Sequence, residues 1–235
     1  MVDSVQMPSK KKNIYGDTAP EELPAYTLQR AAQIVRLSPS TLRLWAVGDD
    51  GHPRLFTLAS DTPPLLSFSN LTEAFVLASM RRVHGISMQR VRRALQYVGR
   101  QLGYERPLLH ANFRTDGVSL FADHAGSLLN VSREGQTALR DMLDASLRRI
   151  DWEKNFAARL YPWVRAEIDP AQPRTIVVDP RRGFGQPVIS GTGIEARVVA
   201  QRYRAGESIT TLAKDYAVKF DQIEDAIRCE TREAA

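Results

Sequence analysis

One local design occurs twice in this chain, near its two ends: a short helix, a tight turn and a second amphipathic helix. In the first copy Ala31, Ala32, Ile34 and Val35 form the apolar side of a helix that ends at Leu37, and Ser38-Pro39 restarts the chain. Ser is a natural N-cap because its hydroxyl accepts an orphan amide of the first turn, and Pro suits the first helical position, where no amide is needed. Beyond them Leu42 and Trp45 point inward at three-residue spacing, and Ser40, Thr41 and Arg43 stay on the outer face. A helix presented that way offers its outer side chains to a DNA groove. The second copy runs from Glu207 to the C-terminus. Ile209, Leu212 and Ala213 mark its first helix, Tyr216-Ala217-Val218 the turn, and Ile223, Ala226 and Ile227 the last helix.

The charge pattern separates the two copies. Of a formal net charge of +5, residues 25–110 hold eleven Arg against five acids, whereas residues 111–169 hold eight bases against nine acids and residues 170–235 ten against nine. A basic excess confined to the segment with the first helix pair is the footprint of a polyanion-binding module. Charge alone is equally consistent with an Arg-rich solvated surface. The helix pattern favours DNA, with Arg30, Arg36, Ser38, Ser40, Thr41, Arg43 and Arg54 as candidate contacts. The near-neutral second copy reads as a protein-binding unit.

Composition excludes several other classes. A length of 235 residues, 43% hydrophobic and 25% charged, supports one good core or two small ones. The lone Cys229 excludes a disulfide framework and suits a reducing cytoplasm. No apolar run approaches the roughly 20 residues a membrane span needs. The polar start, with Lys10-Lys11-Lys12, lacks a signal-peptide core and reads as a disordered arm over residues 1–24. His52, His84, His110 and His124 fall in different segments without metal-ligand spacing, and Cys229 has no neighbouring His. These features argue against an enzyme, a metal or a cofactor, although His110 and His124 would meet if they faced each other across a sheet. Gly183, Gly185, Gly191 and Gly193 fit no phosphate-loop pattern and read as hairpin turns.

Punctuation divides the rest. Gly48 to Pro53 is a turn and Arg54 to Leu58 a short strand, together the wing of a winged helix. Ser69 to Glu73 carries capping chemistry for a helix with Leu71, Phe75, Val76 and Ala78 inward, ending near His84-Gly85; Ser87 opens another with Val91, Leu95 and Val98. Leu108 to Phe113, Val118 to Phe121 and Leu128 to Val131 are short and β-rich and suggest a small antiparallel meander, before a helix over about residues 132–147 and a return to the sheet from Ile150 to Trp163. Asp169 to Arg174 has linker composition. The expected class is α+β, mainly helical: a winged helix-turn-helix over 25–106, a β meander plus helix over 107–168, a linker over 169–174, and a hairpin with a three-helix, helix-turn-helix-like unit over 175–235.

The C-terminal segment carries a specific resemblance. Ile176-Val177-Val178-Asp179-Pro180, Phe184 to Ile189, Gly191-Thr192-Gly193-Ile194, Ala205 to Ile209 and Leu212 to Tyr216 together resemble the domain of unknown function 433 family. This chain has Gly193 where many members carry Arg, so no role of that Arg is transferred. More loosely, Tyr26 to Tyr97 resembles the MerR-like winged helix, notably in Ser38 to Leu42 with Trp45. Proteins similar to this pairing are VapB-type antitoxins of type II toxin–antitoxin modules. The resemblance implies neutralisation of a PIN-domain ribonuclease toxin and repression of the module's own operator, which dimers usually read across two half-sites. A toxin-facing surface calls for Arg, and Arg181 and Arg182 in the hairpin or Arg228 and Arg232 on the last helix are the candidates. Arg228 and Arg232 also suit simple pairing with Glu224, Asp225 or Glu230 on a solvated helix. The alternative function is a ligand-sensing, MerR-like transcriptional regulator with no toxin, whose meander would hold the ligand.

Overall fold

A computed structural model describes residues 18–51, 53–81, 87–110, 113, 117–129, 133–154, 156–165 and 169–231. Lys10 to Lys12, His52, His84, Gly85 and Arg232 lie outside the described residues.

After β1 (Tyr26–Thr27), Thr27 caps α1 (Leu28–Val35) by accepting the Arg30 amide at 3.2 Å. The helix ends at Arg36, which turns left-handed at φ 58°, and Leu37 N–H donates back to Ala32 O at 2.9 Å. A left-handed residue at this position reverses the chain at once. Ser38 then caps α2 (Pro39–Ala46), its Oγ accepting from Thr41 N–H at 3.2 Å. Helices of eight residues are marginal alone, so the burial of Ala31, Ala32, Ile34, Val35, Leu42 and Trp45 holds this pair.

The expected wing strand does not form. Across Arg54 to Leu58, Leu55 N–H donates to Trp45 O at 2.7 Å, Phe56 and Leu58 plug the core, and Asn70 Nδ2 donates to Thr57 O at 2.7 Å. Tertiary partners thus occupy backbone groups that a ladder would use. The hairpin lies just downstream, in β2 (Ser60–Asp61) and β3 (Pro64–Leu66), with β3 also pairing antiparallel to β1 in the order β1-β3-β2.

Next comes α3 (Phe68–Arg81), capped two residues earlier than the sequence pattern suggests: Asn70 N–H donates to Ser67 Oγ and Ser67 N–H to Asn70 Oδ1. Every residue from Phe68 to Met80 is buried, which makes α3 the central helix of the molecule. Its buried Glu73 is answered by Arg106, whose Nη2 lies 2.6 Å from the carboxylate.

The expected β meander is overturned. Pro107–Leu109 is one 3-10 turn, and α5 spans Gly117–Leu129. Val118, Phe121, Ala122 and Ala125 are buried at helical spacing, a pattern that a four-residue window around Val118 to Phe121 cannot separate from a buried strand. The helix α5 packs between α4 (Met88–Leu102) and α6 (Arg133–Leu147). Leu139, Leu143 and Leu147 carry the buried side of α6.

The chain then forms the antiparallel hairpin of β4 (Ile150–Glu153) and β5 (Phe156–Leu160), bulged between Asp151 and Trp152. Downstream, β6 (Ile176–Val177) pairs with β7 (Val188–Ile189), and a single bridge joins Leu160 to Val178. Three helices follow: α7 (Ala196–Arg204), α8 (Ile209–Tyr216) and α9 (Phe220–Thr231). One core runs from Tyr26 to Val178; a second holds Val164 with Ile176, Ile189, Leu212, Ile223 and Ala226. The boundary expected at residue 106 therefore falls inside a continuous core.

The segment expected as a linker is fastened down. Gln172 is buried, and its Oε1 accepts from Val164 N–H at 2.9 Å. The buried Arg149 donates to four carbonyls, those of Tyr161, Pro162, Gln172 and Pro173, at 2.6 to 3.3 Å. It also lies over the Trp163 ring at 4.7 Å. Burial, with Arg174 nearby, pushes its guanidinium down to about 10.

Candidate functional site

The outer face of α2 is open. Ser40 and Arg43 are exposed, and Arg43 makes no ion pair among the described residues. Thr41 is half-buried; its Oγ1 accepts from Ser38 Oγ at 2.7 Å and from Arg81 Nη1 at 3.0 Å. Arg81, at the last turn of α3, is thus part of this face. Sequence reasoning missed it because the two residues are 40 positions apart and no local pattern joins them. Arg54 pairs with Asp61 at 3.0 Å, but both side chains are well exposed, so the pair is weak and the Arg can exchange it for a phosphate.

The other two basic candidates are committed elsewhere. Arg30 grips Glu230 of α9 through both Nη atoms at 2.8 Å, while its Nε donates to Gln186 Oε1 at 3.0 Å. Gln33 Nε2 donates to the Glu230 main-chain oxygen at 3.2 Å, and Arg36 Nη2 donates to Val164 O at 2.6 Å. The inner edge of the first helix pair is therefore the seat of the second, which leaves α2 to face outward.

The second helix pair repeats the turn of the first. Ala217 is left-handed at φ 52°, and Val218 N–H donates to Ala213 O at 3.1 Å, as Leu37 does to Ala32. Lys214 and Lys219 in this pair are exposed; on the preceding α7, Arg202 pairs with Glu207 and Asp215, and Arg204 donates to Glu230 O at 3.0 Å.

Of the candidates for a protein partner, Arg228 pairs with Glu224 and Asp225, both at 3.1 Å, as a solvated helix would arrange them. Arg181 binds Glu153 at 2.7 Å, and Arg182 is exposed. Beside them stands a residue the sequence did not single out. Phe184 is 93% exposed and left-handed at φ 51°, between Gly183 at φ 55° and Gly185 at φ 71°. A large side chain in that conformation costs free energy, and such strain gathers at functional positions. The loop is pinned by Tyr26, whose hydroxyl donates to Gly185 O at 2.7 Å.

Among the described residues no three His, Cys, Asp or Glu side chains come together as a metal group. His110 stacks on Tyr104 and His124 on Tyr97, at 3.7 and 3.8 Å between ring centroids. No helix among the described residues is long and apolar enough to cross a membrane.

Fold and surface together describe an α+β chain of helices and small antiparallel sheets with two helix pairs, the first presenting Arg43 on an open outer helix and the second following the ion-paired arginines of α7. Residues 176–228 match the family described as protein of unknown function (DUF433). Across 231 residues the chain is 29% identical to the Mycobacterium tuberculosis (strain ATCC 25618 / H37Rv) protein named Putative antitoxin VapB45, covering 88% of this chain and 93% of that protein. It is 24% identical over 213 residues to Uncharacterized protein Rv2308 of the same organism, covering 86% and 88%. The fold resembles the X-ray crystal structure of Rv2018 from Mycobacterium tuberculosis, with a TM-score of 0.66, 26% identity, and coverage of 87% of this chain and 98% of that one.

Proposed function

We propose that this chain is an antitoxin: a non-catalytic cytoplasmic protein that binds and silences a toxin and represses its own operator. The observation that carries this reading is the similarity to Putative antitoxin VapB45 over 88% of this chain, far more than the C-terminal unit alone. The toxin is a PIN-domain ribonuclease.

In this reading α1 and α2 act as a MerR-like DNA-binding unit. Ser40, Thr41 and Arg43 meet the DNA, Ser38 fixes where α2 begins, and Arg54 adds a flanking phosphate contact. One such unit makes few contacts, so a homodimer reads the operator. The C-terminal unit holds the toxin through the surface around Arg181, Arg182 and Phe184, with Arg228 at a second edge. Support for this division of labour comes from the occupied state of Arg202 and Arg204 and the open state of Arg43.

The test is co-purification of the tagged chain with the product of the adjacent gene, followed by RNA cleavage by that product with and without this chain. A stoichiometric complex that suppresses cleavage is expected. Failure to form one, with operator binding intact, would leave a DNA-binding regulator and remove the antitoxin.

A further inference from the structure

We propose that the open cleft lined by α3, α4 and the segments Pro53 to Leu55 and Gly103 to Leu108 binds a small organic anion with an apolar body. Its volume is about 700 Å³, well within the size of ordinary ligand pockets. Leu55, Leu77 and Leu95 give it an apolar floor. Its charge is set by two arginines of α4. Arg92 has no carboxylate partner among the described residues; its Nη2 donates to Pro53 O, while its Nε is shielded from solvent and has no acceptor. Arg100, further along the same helix, lines the cleft with only the Gln96 carbonyl as partner, at 3.3 Å.

The acids on the wall offset these charges only in part: Glu73 is already held by Arg106 at 2.6 Å, and Glu105, exposed like Arg100, balances one of the two arginines. What remains is uncompensated positive charge above an apolar floor. An anionic oxygen is the strongest partner a guanidinium N–H can take, and Arg92 and Arg100 both line the cleft. A carboxylate, sulfonate or phosphate ester on an aromatic or aliphatic body supplies both halves of that chemistry.

The site also touches the DNA-facing helix. Pro53 and Leu55 line the cleft, and Leu55 N–H donates to Trp45 O in α2. It stands whether or not a toxin binds at the other end of the molecule.

Calorimetric titration of the full chain with 2-naphthoate and with octanoate tests it, with uncharged 2-naphthylmethanol as the control. Saturable binding of one anion per chain is expected, weakened about tenfold or more by Arg92→Gln or Arg100→Gln and abolished by Leu95→Trp, which fills the floor. Arg100 is exposed, so its variant remains informative if Arg92→Gln folds poorly. No saturable binding of either anion, equal binding of the uncharged control, or binding unchanged in Arg100→Gln and Leu95→Trp would each overturn the site.

Discussion

Arg30 and Glu230 clasp the first helix pair to the last: two parallel N–H···O bonds of 2.8 Å join residues 200 positions apart, with side chains only 17% and 5% exposed. A guanidinium that the sequence offers as a DNA contact is thereby an internal fastener.

Breaking this clasp on one side strands a charge in a largely dry setting. Arg30→Ala and Glu230→Ala are each expected to cost about 2–4 kcal/mol, and Arg30→Met with Glu230→Leu to recover much of that. Urea unfolding of the three variants measures it. A double variant worse than the sum of the singles would contradict a pair whose cost lies in uncompensated charge.

DNA binding should separate the two arginines. Arg43→Ala is expected to weaken operator binding and lower the salt slope by about one unit, while Arg30→Ala leaves the slope unchanged. Binding measured across a series of salt concentrations decides; an unchanged slope in Arg43→Ala would remove α2 from the interface.

Arg149 satisfies four carbonyls at once. Lys has the charge but not the planar fork, so Arg149→Lys is expected to destabilise by about 2–4 kcal/mol. Denaturation that matches the wild type would show that water or backbone movement replaces the fork.

The Gly185 conformation has two separable costs. Gly191→Ala, at φ 79° with open space around it, should cost about 1–2 kcal/mol from backbone strain alone. Gly185→Ala is expected to cost more, because its new Cβ would collide with the Tyr26 hydroxyl. Adding Tyr26→Phe should return part of the difference, and melting curves of the set will show whether it does.

Burial pushes the Cys229 thiol up to about 12 from an ordinary 9.0. Between those values the unfolded chain has lost a proton that the folded chain keeps. The thiol's contribution is therefore full below pH 9 and falls as pH rises, by about 1.4 kcal/mol per unit. Cys229→Ala should remove that part of the alkaline slope; an identical slope in the variant would show that the thiol is not the source.

Local signals made much of this legible. Ser38-Pro39 and the inward spacing of Leu42 and Trp45 mark α2 as it stands, and the Gly-rich hairpin and last helices are equally visible. What failed depends on tertiary context. Val118 to Phe121 is too short to reveal its period, and only packing between α4 and α6 decides for a helix. Arg54 to Leu58 has strand composition, yet Trp45 and Asn70 claim its backbone. Arg30 and Arg81 show the same limit in the candidate site: charge is local information, and the partner that occupies or redirects it is not.

The grip of Arg149 bears on where this chain can be divided. It ties Tyr161 and Pro162 to Gln172 and Pro173, and the neighbouring Val164 belongs to the C-terminal core. The carboxylate that holds α1 lies just past residue 228, where the family match ends. The recognisable module is therefore a span of resemblance rather than a detachable part. Its keystone and its latch both sit beyond its own borders.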